Sequence, residues 1–207
     1  MPRVRVHQHV NPYSPYYTSQ PEPIDLKTAF ADATLPLHLD IGCARGRFIL
    51  RMAEAEPAWN FLGVEIREPL VIEANAIAAE NGQINLRYEF CNAMIWLDRL
   101  LDNVPDGLLQ MVTIQFPDPW FKKRHAKRRM VNAELVSAIA KKIAAGGRIF
   151  VQTDIEFLAE EMFNLLRASE DLREIAVEEN PFFVKTERER AVENKGLPVY
   201  RSIFEKK

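Results

Sequence analysis

From Leu35 onward the chain alternates short apolar runs with longer stretches of helical periodicity, and that alternation limits what it can fold into. The runs at 37–41, 60–66, 84–90, 108–116 and 148–153 read as strands, each bounded by turn residues or charges. Between them, 47–56, 68–81, 93–101, 132–145 and 155–169 read as helices, with Gly146-Gly147 as the stop before the fifth strand. Five strands alternating with helices predict an α/β fold, a doubly wound and mostly parallel sheet covered on both faces. The tail breaks the rhythm. Segments 172–178 and 198–205 read as strands with no long helix between them, which predicts a closing antiparallel hairpin on the sheet edge. Residues 1–34, rich in Pro, Tyr and His, read as a weakly structured arm, leaving 35–207 as the folded domain.

In a sheet of this kind ligands bind at the carboxyl ends of the strands, so the residues there are the first candidates. After the first strand comes Asp40-Ile41-Gly42-Cys43-Ala44-Arg45-Gly46, where two glycines permit a tight turn and Asp40 offers a carboxylate. Glu65 ends the second strand and is placed to accept hydrogen bonds from a ribose diol; Asn92 follows the third and can contact an adenine edge. Three polar groups after three successive strands point to a nucleoside-containing ligand. A dinucleotide turn wants glycines at 42, 44 and 47, where this chain has Gly42, Ala44 and Arg47. S-adenosylmethionine, which carries no phosphate, suits the spacing better.

The fourth strand runs into Gln115-Phe116-Pro117-Asp118-Pro119-Trp120-Phe121. Two prolines predict a rigid loop around Asp118, with the residue before each proline in extended geometry. Next comes a cationic stretch that no acid interrupts: Lys122, Lys123, Arg124, Lys127, Arg128 and Arg129. The formal net charge of −2 hides this, because the rest of the chain carries −8. Aromatic residues beside such a stripe can stack on bases while the cations meet phosphates. For Phe121 the favoured reading is a core anchor for the loop.

The run Phe-Pro-Asp-Pro-Trp at 116–120 with the cations to Arg129, the Asp-Ile-Gly-Cys at 40–43, and the closing Thr186, Glu189, Lys195-Gly196 and Tyr200-Arg201 together resemble tRNA (guanine-N7-)-methyltransferases over about residues 35–205. The resemblance implies the class I, Rossmann-like methyltransferase fold, seven strands with one antiparallel near the edge. It implies methyl transfer from S-adenosylmethionine to the variable-loop guanosine, tRNA position 46, giving 7-methylguanosine. It assigns the cofactor to Asp40, Gly42, Glu65, Asn92 and Asp118, the active site to Asp118, and the substrate to Lys122, Asp154, Thr186 and Glu189. Lys123, Arg124, Lys127, Arg128 and Arg129 would run along the RNA. Two positions depart from the family's pattern: Ala44 stands where glycine is more usual, and Arg188 where tyrosine is frequent.

Other readings stay open at this level: an adenine amino-group methyltransferase, although Asp118-Pro119-Trp120 lacks the second proline of that motif; an NAD(P)-dependent oxidoreductase; or a non-catalytic RNA-binding module. The scattered His7, His9, His38 and His125 predict no metal site, and Arg3, Arg5, Tyr13 and Tyr16 make the arm either a further RNA contact or a tether. Cys43 and Cys91 cannot form a disulfide framework, so a reduced, cytoplasmic setting is expected. No apolar run suits a membrane span or a signal peptide, and either a monomer or a homodimer is compatible with the sequence.

Overall fold

A computed structural model describes residues 10–207. The calls on Arg3, Arg5, His7 and His9 therefore lie outside the described residues. Seven strands form one sheet: β1 (Leu37–Ile41), β2 (Asn60–Glu65), β3 (Leu86–Phe90), β4 (Leu109–Gln115), β5 (Ile143–Thr153), β6 (Leu172–Ala176) and β7 (Tyr200–Lys206). Their order is β3-β2-β1-β4-β5-β7-β6. Strands β1 to β5 pair in parallel, while β7 runs antiparallel to both β5 and β6. The expected antiparallel closure is present, but β7 inserts between β5 and β6 instead of adding beyond them.

The helices are α1 (Leu26–Ala29), α2 (Arg47–Ala55), α3 (Glu68–Glu80), α4 (Ala93–Leu100), α5 (Ala133–Lys142), α6 (Glu156–Arg167) and α7 (Glu187–Glu193). Their starts follow from short polar side chains. Asn92 Oδ1 accepts from Met94 N, Asn132 Oδ1 from Leu135 N and Thr186 Oγ1 from Glu189 N, each meeting a backbone donor that the first helical turn leaves unpaired. The sheet is apolar on both faces, as parallel strands under helices must be. One core cluster joins Leu37, Leu39 and Ile41 to α4, α5 and α6; a second joins Phe61, Leu86 and Tyr88 to α2 and α3.

Two sequence expectations change here. Gly146-Gly147 does not stop α5, which ends at Lys142; the pair lies inside β5, where the pairing with β4 slips between Leu109 and Met111. Gly146 takes φ +75°, and a Cβ on Gly147 would meet the Ala144 carbonyl oxygen at 2.8 Å, so the pair makes a bulge that only glycine fits. Residues 10–34 are not a loose arm. Ile24, Leu26 and Phe30 enter the first core cluster, each burial being worth about 1.5–3 kcal/mol. Trp96 Nε1 donates to the Thr18 carbonyl at 3.0 Å, and Ile24 N to that of Leu100 at 2.9 Å. This strap leads the chain across the carboxyl ends of the strands.

Candidate active site

The strand order reverses between β1 and β4, and a cavity of about 680 Å³ opens there at the carboxyl ends of the strands. Asp40 near the end of β1, Glu65 ending β2, Asn92 after β3, Asp118 after β4 and Asp154 after β5 all line it. Gly42, Thr186 and Arg128 line it too. Topology thus gathers residues far apart in sequence: those from Asp40 to Asp154 lie at or just past the ends of parallel strands, and Thr186 is brought in by the turn before α7.

Asp40 is buried, and Thr113 Oγ1 on the neighbouring strand donates to its Oδ1 at 2.6 Å. With that proton committed, Thr113 accepts from His38 Nε2 at 3.1 Å, which makes a buried His38–Thr113–Asp40 chain beneath the cavity floor. Burial raises the Asp40 pKa to about 6, against the opposing pull of Thr113 and Gln115; burial lowers that of His38 to about 3. Gln115, beside the cavity, accepts at Oε1 from Gln152 Nε2 at 2.8 Å, and its own amide favours the Asp40 carboxylate. Glu65 is held in place by its own turn: Oε2 accepts from Ala44 N at 2.9 Å, and Oε1 from Arg67 N at 3.0 Å and Arg67 Nε at 2.9 Å. Burial disfavours the Arg67 charge, but Glu65, with help from Asp118, holds it and raises the pKa overall.

The backbone is strained where it meets the cavity. Ala44, Phe116 and Trp120 adopt φ of +52°, +51° and +43°. Left-handed geometry costs a residue with a Cβ about 1–2 kcal/mol, and it persists only where the surroundings impose it. Phe116, expected to be extended because proline follows, is instead tied by its N–H to the Gln152 carbonyl at 2.8 Å. Across the loop, Arg129 Nε donates to the Pro119 carbonyl at 3.0 Å and Arg129 Nη2 to that of Trp120 at 3.4 Å, while Nη1 pairs with Glu161. Two prolines and one arginine brace set the position of Asp118.

Several sequence assignments find other employment. Asn92 does not offer its amide to a ligand: Nδ2 donates to the Pro12 carbonyl at 2.9 Å and the Tyr17 carbonyl at 3.2 Å, so it fastens the strap. Glu189 is fully buried and outside the cavity; its carboxylate accepts from Arg201 Nη2 at 2.9 Å, Gln152 Nε2 at 3.1 Å and Asn180 Nδ2 at 2.7 Å. It anchors the α7 turn that presents Thr186. Arg129 is the loop brace described above and not an outward cation. Lys122 and, on the 3-10 segment Lys123–Arg128 that follows it, Lys123, Arg124 and Lys127 are exposed, and Arg128 sits over the Trp120 ring at 5.1 Å. Phe121 anchors no core: it is 68 % exposed.

This arrangement has close counterparts. Residues 34–202 match a family model described as "Putative methyltransferase". Curated proteins named tRNA (guanine-N(7)-)-methyltransferase are 54% identical over 99% of this chain and 97% of the relative in Synechococcus elongatus, and 52% identical over 100% and 98% in Trichormus variabilis. The chain belongs to the tRNA (guanine-N7-)-methyltransferase family. Among solved structures, the antibiotic-resistance methyltransferase Kmr (TM-score 0.57, 16% identity, 87% and 89% of the two chains) shares the fold. An rRNA methylase from Streptococcus thermophilus does likewise (TM-score 0.54, 11% identity, 87% and 91%). Within the tRNA (guanine-N7-)-methyltransferase pattern, the two departures of this chain now have structural accounts. Ala44 occupies a left-handed position that glycine adopts without strain, and Arg188 pairs with Asp154 across the cavity rim.

Sequence reasoning missed Thr113, Gln115 and Arg67. Polar side chains inside an otherwise apolar strand were the available signal for the first two, but their meaning depends on the β1–β4 register, which pairs Asp40 with Thr113.

Proposed function

We propose that the protein methylates N7 of guanine in tRNA, at the variable-loop guanosine of tRNA position 46, with S-adenosylmethionine as donor. The observation that carries this reading is the convergence of Asp40, Glu65 and Asp118 on one cavity beside an exposed cationic segment, in a chain of this family. The residues present fit the donor. Asp40 and Glu65 line the cavity with carboxylates suited to an amino group and ribose hydroxyls, a hydroxyl on Glu65 taking the place of one of its present Arg67 bonds, and no phosphate-binding loop is needed. Gly42 lines the cavity at φ +76°, so the turn brings bare backbone to the ligand side without strain. When bound, the donor supplies a methyl group on a cationic sulfur.

Guanine N7 carries a free lone pair on the base edge, so no proton has to be removed before attack. The protein's task is therefore alignment and charge management. Asp118, set by the braced loop, faces the cavity where positive charge grows on the guanine ring, and it accepts from the base's N–H groups. Thr186 and Asp154, which line the cavity, would contact the guanosine, and the exposed Lys122, Lys123, Arg124 and Lys127 would take phosphates. Cys43 is no nucleophile here: burial, with Asp40 and Glu65 nearby, pushes its thiol pKa well above the ordinary value. The dinucleotide alternative is disfavoured because Arg47, where the third glycine would stand, opens α2 and pairs with Glu187.

The test is incubation of the protein with S-adenosylmethionine and unmodified tRNA, then mass spectrometry of the nucleosides. Expected is 7-methylguanosine, with borohydride–aniline cleavage mapping to the variable loop. Methyladenosine in its place refutes the reading.

A further inference from the structure

We propose that Phe121 and Phe157 form a stacking platform for an unpaired nucleobase of the tRNA next to the target guanine, a role that rests on the reaction proposed above. Phe121 is 68 % exposed and Phe157 39 %, though both are large apolar side chains. Their rings meet edge to face, centroids 6.0 Å apart at 64°. Phe121 lines the mouth of the cavity; Phe157 lies in the first turn of α6, three residues after Asp154, which also lines it. Neither ring belongs to the core clusters, and Phe157 backs the ring that stands at the cavity.

The platform is built before anything binds. The Arg129 guanidinium lies 5.0 Å from the Phe157 ring centroid. That guanidinium is itself held by Glu161 and by the Pro119 and Trp120 carbonyls, so one face of Phe157 is fixed to the braced loop. Little ordering is left to be done on binding, which favours stacking. Charge identifies the occupant. Phe121 leads directly into Lys122, Lys123 and Arg124, all exposed, so exposed π faces adjoin phosphate-binding cations. A polyanion that carries aromatic bases matches both; an apolar protein segment matches only the rings.

Phe121→Ala, Phe121→Leu and Phe121→Trp are compared with wild type on tRNAs carrying 2-aminopurine immediately 5′ or 3′ of the target guanosine. Stacking quenches the probe. Wild type and Phe121→Trp are expected to quench one of the two labelled tRNAs, while Phe121→Ala and Phe121→Leu lose that quench. With unlabelled tRNA, the Ala and Leu variants should show KM raised about tenfold or more, the order of one lost base–aromatic stack. Far-ultraviolet circular dichroism and thermal unfolding matching wild type establish that the variants are folded, as expected for so exposed a side chain. Recovery in Phe121→Leu would mean simple apolar contact and overturn the platform, as would quenching that survives in Phe121→Ala or never occurs in wild type. Quenching without formation of 7-methylguanosine would instead sink the reaction and leave the platform standing.

Discussion

At the scale of single residues, the site depends on charge and on a few backbone angles. Asp118→Asn keeps the shape of the side chain and removes its charge. Steady-state kinetics should show kcat lowered about 10²–10³-fold, the usual loss of one electrostatic contact to a developing charge, while tRNA affinity measured by filter binding changes little. A variant with wild-type kcat would remove Asp118 from the mechanism. The first turn predicts opposite signs at two neighbouring positions. At Gly42, φ is +76° and an added Cβ would lie 2.6 Å from Met130 Cε, so Gly42→Ala should lower the unfolding free energy by about 1–2 kcal/mol and weaken donor binding. At Ala44, φ is +52°, and Ala44→Gly relieves strain at the cost of a looser unfolded chain. Denaturant unfolding should place that variant between neutral and about 1 kcal/mol more stable.

At the scale of elements, the strap of residues 10–20 and the cationic segment are one assembly. Tyr13 Oη donates to the Lys127 carbonyl at 2.8 Å, Lys127 Nζ lies 5.7 Å from the Tyr13 ring centroid, and Pro12 helps line the cavity. Asn92 holds the strap by its amide nitrogen and caps α4 by its amide oxygen. Asn92→Asp keeps the cap and sets a carboxylate against two carbonyls. Hydrogen exchange should therefore rise in residues 10–20 while the amides of α4 stay protected; unchanged exchange in the strap would show that its apolar contacts suffice. In the cationic segment, Lys123→Glu with Arg124→Glu should weaken tRNA binding and flatten its dependence on salt. Arg129→Ala, by contrast, should lower the melting temperature, because it removes the brace of the Asp118 loop.

At the scale of the whole molecule, the buried chain under the cavity couples folding to pH. His38 is neutral in the folded protein, with its pKa lowered to about 3, while the unfolded chain takes up a proton below about 6.5. Its contribution is complete above pH 6.5 and is lost as pH falls towards 3. Asp40 acts the other way: its folded pKa of about 6 lies above its ordinary value of 3.8, so ionising it costs stability as pH rises from about 4 to 6. Each pH unit of displacement is worth about 1.4 kcal/mol, and the histidine is displaced further. Urea unfolding should thus show a modest net rise in stability from pH 4 to 6.5, turned into a fall in His38→Gln, where the Asp40 contribution stands alone. A rise in that variant would reverse the assignment.

The parallel sheet, its helices and the ends of its strands were legible in the sequence, because the period of apolar residues is set locally and a strand end is marked by turn residues. Asp40, Glu65 and Asp118 were legible for the same reason: each sits just where an apolar run stops. The cationic segment could be read as charge, yet not which of its members face outward. That Arg129 turns inward, that Asn92 fastens residues 10–20, and that Glu189 points from α7 into the interior depend on partners 32, 80 and 37 positions away. No local period encodes such partners. The strained Phe116 ran against its proline neighbour for a similar reason, since its geometry is imposed by a carbonyl of the next strand. The sequence by itself determined the order of elements and the place of the ligand pocket. Tertiary structure alone decided which polar groups face that pocket and which are consumed in building it, because a buried hydrogen bond is settled by what the fold brings alongside.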